Sequence, residues 1–193
     1  MSLTPQKEEY KEYTYEEWLE LDNNEDTELI DGIVYMRYGG RQNGPSTRHQ
    51  KVSMKLSVKL GNFLEGKTCE VYYDLTVRLN KNTVVRPDIS VICDPDKIDD
   101  RGCNGAPDLI IEILSPSNPG TDMWTKYNKY FVAGVKEYWI VDPIKDLITV
   151  HILKDGQYTA TLYSIKDILP ITILPGCEID LSVIFAKSIT HRL

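Results

Sequence analysis

The chain has 193 residues, of which 41% are apolar and 26% charged, and this balance predicts a single domain over residues 1–193. A net charge of −7 and a pI near 5.0 argue against a broad basic surface for binding DNA phosphates, although a divalent-metal site is itself acidic. The N-terminal residues contain no apolar run typical of a signal peptide, and no later stretch is long enough to cross a bilayer. We therefore expect a cytoplasmic protein that binds no membrane.

The N-terminal part predicts a short helix followed by a hairpin. Residues 13–21 are amphipathic, and Thr14 with Glu17 has the spacing of a capping box. An Asp-Gly pair lies between two apolar runs in the segment ELIDGIVY at residues 28–35, which is typical of a tight β-hairpin. The glycines of residues 38–45 then indicate a loop.

The central part predicts a helix, three strands and a second helix. Apolar residues recur at three- and four-residue steps from 46 to 64, and Gly66 is a suitable residue to end that helix. Three hairpin-connected strands followed by a crossover helix give a mixed sheet flanked by helices. The strand-like runs cover residues 69–79, 84–93 and 108–114, and the second helix covers residues 122–132.

The C-terminal part predicts only strands. Residues 137–141 form an apolar run, and the remainder contains strand-like segments with one Asp-Gly turn at residues 155–156. The fold class is therefore α/β, with a mixed central β-sheet flanked by helices and with extra N- and C-terminal β-hairpins. We expect the core of this domain at about residues 46–143.

The four cysteines are scattered along the chain without a Cys-x-x-Cys pair, the spacing used by many zinc sites. Four cysteines are also too few for a disulfide scaffold in a chain of this length. We therefore expect reduced thiols, and Cys93 in particular as a small buried side chain in a strand. The cysteines are Cys69, Cys93, Cys103 and Cys177.

Two acidic residues interrupt apolar strands. Asp88 lies in RPDISVI and Glu112 in PDLIIEIL. Burying a carboxylate is costly unless it is paired or binds a cation, and side chains alternate along a strand, so neighbouring strands would bring both carboxylates to one point. Two oxygen donors with room for water suit Mg²⁺. The alternatives are a turn residue after proline for Asp88 and the partner of a buried arginine for Glu112.

Lys126 lies on the second long helix, on the same face as Asp122 and Tyr130. One interpretation is a surface lysine that pairs with Asp122. The other is an ammonium group next to the two carboxylates, where it would position a water nucleophile or stabilise a phosphate.

The segments RPDISVICDPDK, GAPDLIIEILSPSN and GVKEYWIVDP, with the helix of Lys126, resemble the bacterial Uma-type family of predicted endonucleases. That family belongs to the PD-(D/E)XK superfamily, and the resemblance runs from Glu28 to about residue 185. It implies a restriction-endonuclease-like core, Mg²⁺ or Mn²⁺ as cofactor, and Asp88 and Glu112 as the two motif acids and metal ligands. Leu114 stands where the superfamily usually has lysine, and the family pattern supplies that lysine from the next helix as Lys126.

The family pattern adds Glu28 and His49 to the candidate catalytic residues. Glu28 would contribute a carboxylate to the metal shell, or else be a solvent-facing strand residue. His49 would contact phosphate or orient a water, or else be a polar surface residue.

The resemblance predicts a metal-dependent endonuclease that hydrolyses nucleic acid, with DNA as the expected substrate. The alternative, favoured by the acidic charge and by Leu114, is an inactive nuclease fold that serves as a binding or accessory module. The apolar strands near the C-terminus also suggest a homodimer, because unprotected sheet edges invite pairing between chains.

Overall fold

The computed structural model describes residues 11–21, 27–37, 45–115 and 120–186, apart from the side chains of residues 120–122. The helices are α1 (Tyr15–Leu19), α2 (Thr47–Leu64), α3 (Gly120–Ala133) and α4 (Leu181–Phe185). The strands are β1 (Thr27–Ile30), β2 (Ile33–Met36), β3 (Glu70–Tyr73), β4 (Val77–Asn80), β5 (Thr83–Val85), β6 (Ile89–Ile92), β7 (Ile98–Asp99), β8 (Gly102–Asn104), β9 (Leu109–Ile113), β10 (Glu137–Asp142), β11 (Leu147–Lys154), β12 (Gln157–Ser164), β13 (Ile168–Pro170) and β14 (Glu178–Asp180). Within these ranges no helix is long and apolar enough to span a membrane.

The strands form two six-stranded sheets and one two-stranded ribbon. The first sheet has the order β2-β1-β5-β4-β8-β7, the second has the order β12-β11-β10-β9-β6-β3, and β13 pairs with β14. In the second sheet β9 and β10 are parallel and the other pairs are antiparallel. Helix α3 connects β9 to β10, because parallel neighbours need a crossover. The predicted α/β class, with mixed sheets and flanking helices, is confirmed.

The predicted N-terminal helix and hairpin are confirmed. Thr14 caps α1, and its capping box with Glu17 is complete. The hairpin β1–β2 turns at Asp31 and Gly32, whose φ values of 52° and 79° suit this turn because aspartate and glycine tolerate the left-handed region. The loop predicted for residues 38–45 lies, except for Pro45, outside the described residues.

The two longest predicted strands are each divided between the two sheets. The run at 69–79 becomes β3 and β4, with a turn at Asp74, whose φ is 51°. The run at 84–93 becomes β5 and β6, interrupted at Arg86 and Pro87. Proline has no N–H to donate to a ladder, which explains why pairing is interrupted there. Asp88 therefore lies at the boundary between the two sheets.

The second sheet is covered on both faces. Helix α2 packs on one face, where Leu56 and Leu60 are fully buried with Ile111 of β9. On the other face Tyr130 of α3 packs against Tyr138 of β10. This two-sided burial explains why β6 and β9 read as continuous apolar runs.

The C-terminal end differs in part from the prediction. The hairpin β11–β12 is confirmed, with its turn at Asp155 and Gly156. Residues 181–185, predicted as strand, form helix α4 instead. Asp180 caps this helix by accepting the Ser182 N–H, and such a cap favours helix over strand in a short apolar segment.

The prediction that all four cysteines are reduced is wrong for two of them. Cys69 and Cys93 form a disulfide, whereas Cys103 and Cys177 are free and buried. The two bonded residues extend the β3–β6 register beyond its Glu70–Ile92 pair, so they face each other across the two strands. The sequence separation of 24 residues carries no sign of this pairing, because only the strand register creates it.

Candidate functional site

Asp88 and Glu112 lie level with each other, with Asp88 directly before β6 and Glu112 on the neighbouring antiparallel strand β9. The register of β6 and β9 pairs Ile89 with Ile111, and one further step brings Asp88 opposite Glu112. Cross-strand partners project to the same face of a sheet, so the backbone alignment places the two acids on one side of the β6–β9 pair.

The side chain of Asp88, which directly precedes β6, is held by two hydrogen-bond donors. Its Oδ2 accepts the backbone N–H of Ile113 at 2.7 Å and lies 3.2 Å from His49 Nε2. His49 is in the first turn of α2, where Ser46 caps the helix through the His49 N–H. His49 is only 2% exposed, so it is a buried contact of Asp88 and not a polar surface residue.

Lys126 joins two carboxylates from different elements. Its Nζ lies 2.9 Å from the carboxylate of Glu28 on β1 and 3.2 Å from that of Glu112 on β9. Lys126 and Glu28 are both buried, which excludes the solvent-facing alternatives for either residue. The side chain of Asp122, the surface partner considered for Lys126, lies outside the described residues.

Glu28 has a second role in this arrangement. Its Oε1 also accepts the backbone N–H of Arg86 at 2.7 Å, which ties β1 to the segment just before Asp88. The Arg86 guanidinium points elsewhere, to Asp74, which also pairs with Arg37. Glu28 lies outside the predicted core of about residues 46–143, yet its side chain meets that of Lys126.

Tyr130 is a site residue that the sequence alone did not single out. It lies one turn after Lys126, and its hydroxyl donates to Glu112 Oε1 at 2.6 Å. Burial, followed by the nearby Glu112 and Glu28 charges, raises the pKa of Tyr130 well above its usual value, so the phenol keeps its proton and acts as a donor. The available signal was the four-residue spacing from Lys126, which places both side chains on one helix face.

Glu112 experiences opposing influences on its ionisation. Burial is the largest and raises the pKa of this carboxyl group to about 7. Lys126 opposes the rise, whereas the Asp88 and Glu28 charges add to it and the Tyr130 hydrogen bond lowers it slightly. Burial and the two neighbouring acids thus outweigh Lys126 and favour the protonated form of Glu112 in the metal-free protein.

The donor set fits a hydrated divalent ion. Asp88 and Glu112 provide two carboxylates, and Mg²⁺ is commonly held by one or two carboxylates with waters and phosphate oxygens completing its shell. In the part of the chain that the structure describes, no three His, Cys, Asp or Glu side chains are grouped to hold a metal. The chemistry of these two acids fits Mg²⁺ or Mn²⁺, because both ions prefer oxygen ligands.

Comparisons with known proteins identify a matching family and a similar fold. A family model described as "Uma2: Putative restriction endonuclease" matches residues 9–182. "Uncharacterized protein slr1290" of Synechocystis sp. is 29% identical over 175 residues, which cover 89% of this chain and 88% of that protein. The crystal structure of "a putative nuclease belonging to DUF820" from Anabaena variabilis superposes with a TM-score of 0.74 at 19% identity, covering 90% of this chain and 97% of that one. The last similarity supports the fold.

Proposed function

The chain belongs to the Uma2 family, and we propose that it is a metal-dependent endonuclease that hydrolyses phosphodiester bonds in nucleic acid, with DNA as substrate. One observation carries the proposal: a buried lysine bridges Glu28 and Glu112, and the register of β6 and β9 brings Asp88 level with Glu112. A buried cluster of three acids and one lysine is expensive to maintain, and such perturbed groups concentrate at functional sites.

Asp88 and Glu112 would hold Mg²⁺ or Mn²⁺. When bound, such an ion activates water and neutralises charge on the phosphate. The surrounding residues prepare the two carboxylates for this role. The Ile113 N–H and His49 fix the orientation of Asp88, while Tyr130 fixes that of Glu112. Hydrogen bonds of this kind orient metal-binding carboxylates and strengthen their binding.

Lys126 replaces the strand lysine whose place Leu114 occupies. From α3 its ammonium group reaches Glu112 at 3.2 Å, so it lies beside the proposed metal-binding carboxylate although it comes from a different element. A fixed positive charge next to the scissile phosphate stabilises the negative charge that develops during attack by water. Glu28 holds this ammonium in position from the opposite side.

Cleavage of supercoiled plasmid and of single-stranded DNA in Mg²⁺ or Mn²⁺ tests the proposal. We expect activity that EDTA abolishes, and a loss of at least about a hundredfold in Asp88→Ala, Glu112→Gln and Lys126→Met. Lys129→Met is the matched control, because Lys129 lies on the same helix but pairs with Asp31 in the β1–β2 turn. Unchanged cleavage by Asp88→Ala or Glu112→Gln would refute the assignment.

The second candidate function is a non-catalytic binding or accessory module with a nuclease fold. The specific observations in its favour are Leu114 at the usual lysine position and the net charge of −7. Isothermal titration with Mn²⁺ separates the two candidates. Absence of binding heat together with absence of cleavage of DNA and RNA would favour the accessory module.

We also propose a homodimer and a cytoplasmic location. Strand β12 is an edge of the second sheet, so its outer backbone groups are available to pair with another chain. Analytical ultracentrifugation tests the dimer. Disulfides are rare in cytoplasmic proteins, so the state of Cys69 and Cys93 in cells tests the location. Alkylation of free thiols at the moment of lysis supports the cytoplasm if both cysteines are modified and contradicts it if the disulfide is intact.

A further inference from the structure

Trp124 is the one exposed tryptophan of the chain. Of its three tryptophans, Trp18 and Trp139 are 3% and 0% exposed, whereas Trp124 is 71% exposed. A large aromatic side chain in solvent is informative because apolar surface of this size is normally buried. Trp124 also lies on α3, the helix that carries Lys126 to the acids.

The indole of Trp124 is supported by ordered neighbours. Tyr127, one turn further along α3, meets it edge-on with ring centroids 5.8 Å apart. Tyr127 is in turn held by ring contacts with three residues of the second sheet, Tyr138, His151 and Tyr158. Aromatic contacts of this kind restrict a side chain, so Trp124 is an exposed ring on a rigid base.

Trp124 and Lys126 lie close together in sequence on α3 but on different sides of the helix. Trp124 precedes Lys126 by two residues, a displacement of about 3 Å along the helix axis, and about 200° around it. The two side chains therefore lie on opposite flanks of one helix, whose diameter with side chains is about 10 Å. A strand with a phosphate at Lys126 must therefore pass over α3 to reach the indole, a path of about one helix diameter.

A row of uncharged residues crosses the α3 face of the second sheet from Glu112 to the edge strand β12. Strand register aligns Glu112 with Ile140, then Thr149, then Leu162. These four residues share the α3 face of the sheet and span roughly 14 Å, given about 4.8 Å between strands. Ile140 and Thr149 are half-buried, and Leu162 on the edge strand is 62% exposed. We call the exposed indole of Trp124, together with the Tyr127 ring that supports it, the aromatic platform.

We propose that the aromatic platform stacks unpaired nucleobases, so that the substrate is single-stranded or locally unwound nucleic acid. This inference rests on the proposed nuclease function. Bases inside a duplex already stack on both faces, whereas an unpaired base offers a free face to an aromatic side chain, worth roughly 1–3 kcal/mol per base.

The charge distribution favours bases over phosphates as the main contact. The net charge of −7 limits phosphate binding, and α3 carries only Lys126 and Lys129 as basic residues, each paired with carboxylates. Stacking needs no cation, so it provides affinity that an acidic protein otherwise lacks. A second copy of the chain is the competing occupant of this surface, and the experiment below distinguishes it.

Quenching of the intrinsic fluorescence by a stacked base reports on Trp124, because Trp18 and Trp139 are buried and a base cannot reach them. The emission lost in Trp124→Ala gives the share of the signal that belongs to Trp124. We would titrate the full chain in EDTA with a thymidine 20-mer and with a blunt duplex of matched length. We expect quenching by the single strand and little by the duplex. Trp124→Ala should weaken single-strand binding by about five- to a hundredfold, the range given by the stacking energy. Val132→Ala is the matched control, since Val132 is 82% exposed on the same helix.

Cleavage assays in Mg²⁺ separate this inference from the nuclease proposal. Quenching without cleavage supports the aromatic platform and contradicts the nuclease. Cleavage without quenching, with equal single-strand affinity in Trp124→Ala, overturns the aromatic platform and leaves the nuclease intact. Equal quenching by duplex overturns the single-strand preference. A dimer that becomes monomeric in Trp124→Ala, with unchanged DNA binding, overturns the inference in favour of self-association.

Discussion

Lys126 and Glu28 form a buried ion pair, 2.9 Å from Nζ to carboxylate, that joins α3 to the N-terminal hairpin. Glu28 belongs to the first sheet, whereas Lys126 stands over the second sheet and also contacts Glu112 there. The ion pair therefore links the two sheets at the candidate site. A substitution that removes this ion pair should therefore lower the stability of the fold and disturb the candidate site at the same time.

Glu28→Gln should destabilise the protein by about 3 kcal/mol, because removing one partner of a buried ion pair leaves the other charge insufficiently compensated. Urea denaturation measures this loss. Glu28→Gln with Lys126→Met should cost less than the sum of the two single changes, since the double variant has no unpaired charge at this contact. Additive losses would show that the two residues do not stabilise each other.

Metal binding should depend on pH through Glu112. Its pKa of about 7 in the metal-free protein means that a cation must displace a proton below that pH. We expect Mn²⁺ affinity to fall by about tenfold per pH unit below 7, with proton release on binding. Isothermal titration in two buffers of different ionisation enthalpy measures both effects, and Glu112→Gln should abolish the proton release.

The same shift predicts how the stability of the metal-free protein changes with pH. The Glu112 pKa is raised in the folded state from an ordinary value of 4.5, so the folded protein binds the extra proton between pH 4.5 and about 7. The contribution of Glu112 is fully present below 4.5 and is lost as the pH rises through about 7. Denaturation in EDTA should show this decrease, and Glu112→Gln should remove it.

Tyr130→Phe should raise the Glu112 pKa further, because the variant lacks the hydroxyl whose hydrogen bond stabilises the Glu112 carboxylate. We expect the pH midpoint of Mn²⁺ binding to move upward, with a loss of about 1 kcal/mol in stability. Tyr158→Phe is the matched control, since its hydroxyl donates to the Val135 carbonyl, away from the acids. An unchanged midpoint in Tyr130→Phe would mean that the hydrogen bond does not influence Glu112.

The acids were predictable from the sequence for a physical reason. Asp88 and Glu112 each interrupt an apolar run of the sequence. Because side chains alternate between the two faces of a sheet, two such acids lie on one face when their runs are neighbours. Lys126 was predictable only through the family pattern, since nothing local distinguishes it from a surface lysine. Tyr130 and the Cys69–Cys93 disulfide were missed because they depend on helix docking and strand register, which arise from tertiary packing and not from local pattern.

Reduction of Cys69–Cys93 should lower stability, because the bond joins edge strand β3 to β6, the strand that Asp88 directly precedes. Closing a loop with a sequence separation of 24 residues stabilises a fold by about 3 to 4 kcal/mol in the chain-entropy model. Urea denaturation with and without dithiothreitol measures the difference. Cys69→Ser should show the same loss and no further response to the reductant.

The two free cysteines provide the control for this experiment. Cys103 and Cys177 are buried thiols, so Cys103→Ser should keep the full response to dithiothreitol. Equal stability of the oxidised and reduced protein would mean that β3 is held at the sheet edge by its ladder with β6 alone. The Asp74 N–H, directly after β3, donates to the Asp88 carbonyl, so β3 contacts the backbone of a candidate site residue. A parallel fall of cleavage activity and stability on reduction would therefore mean that β3 also holds Asp88 in position.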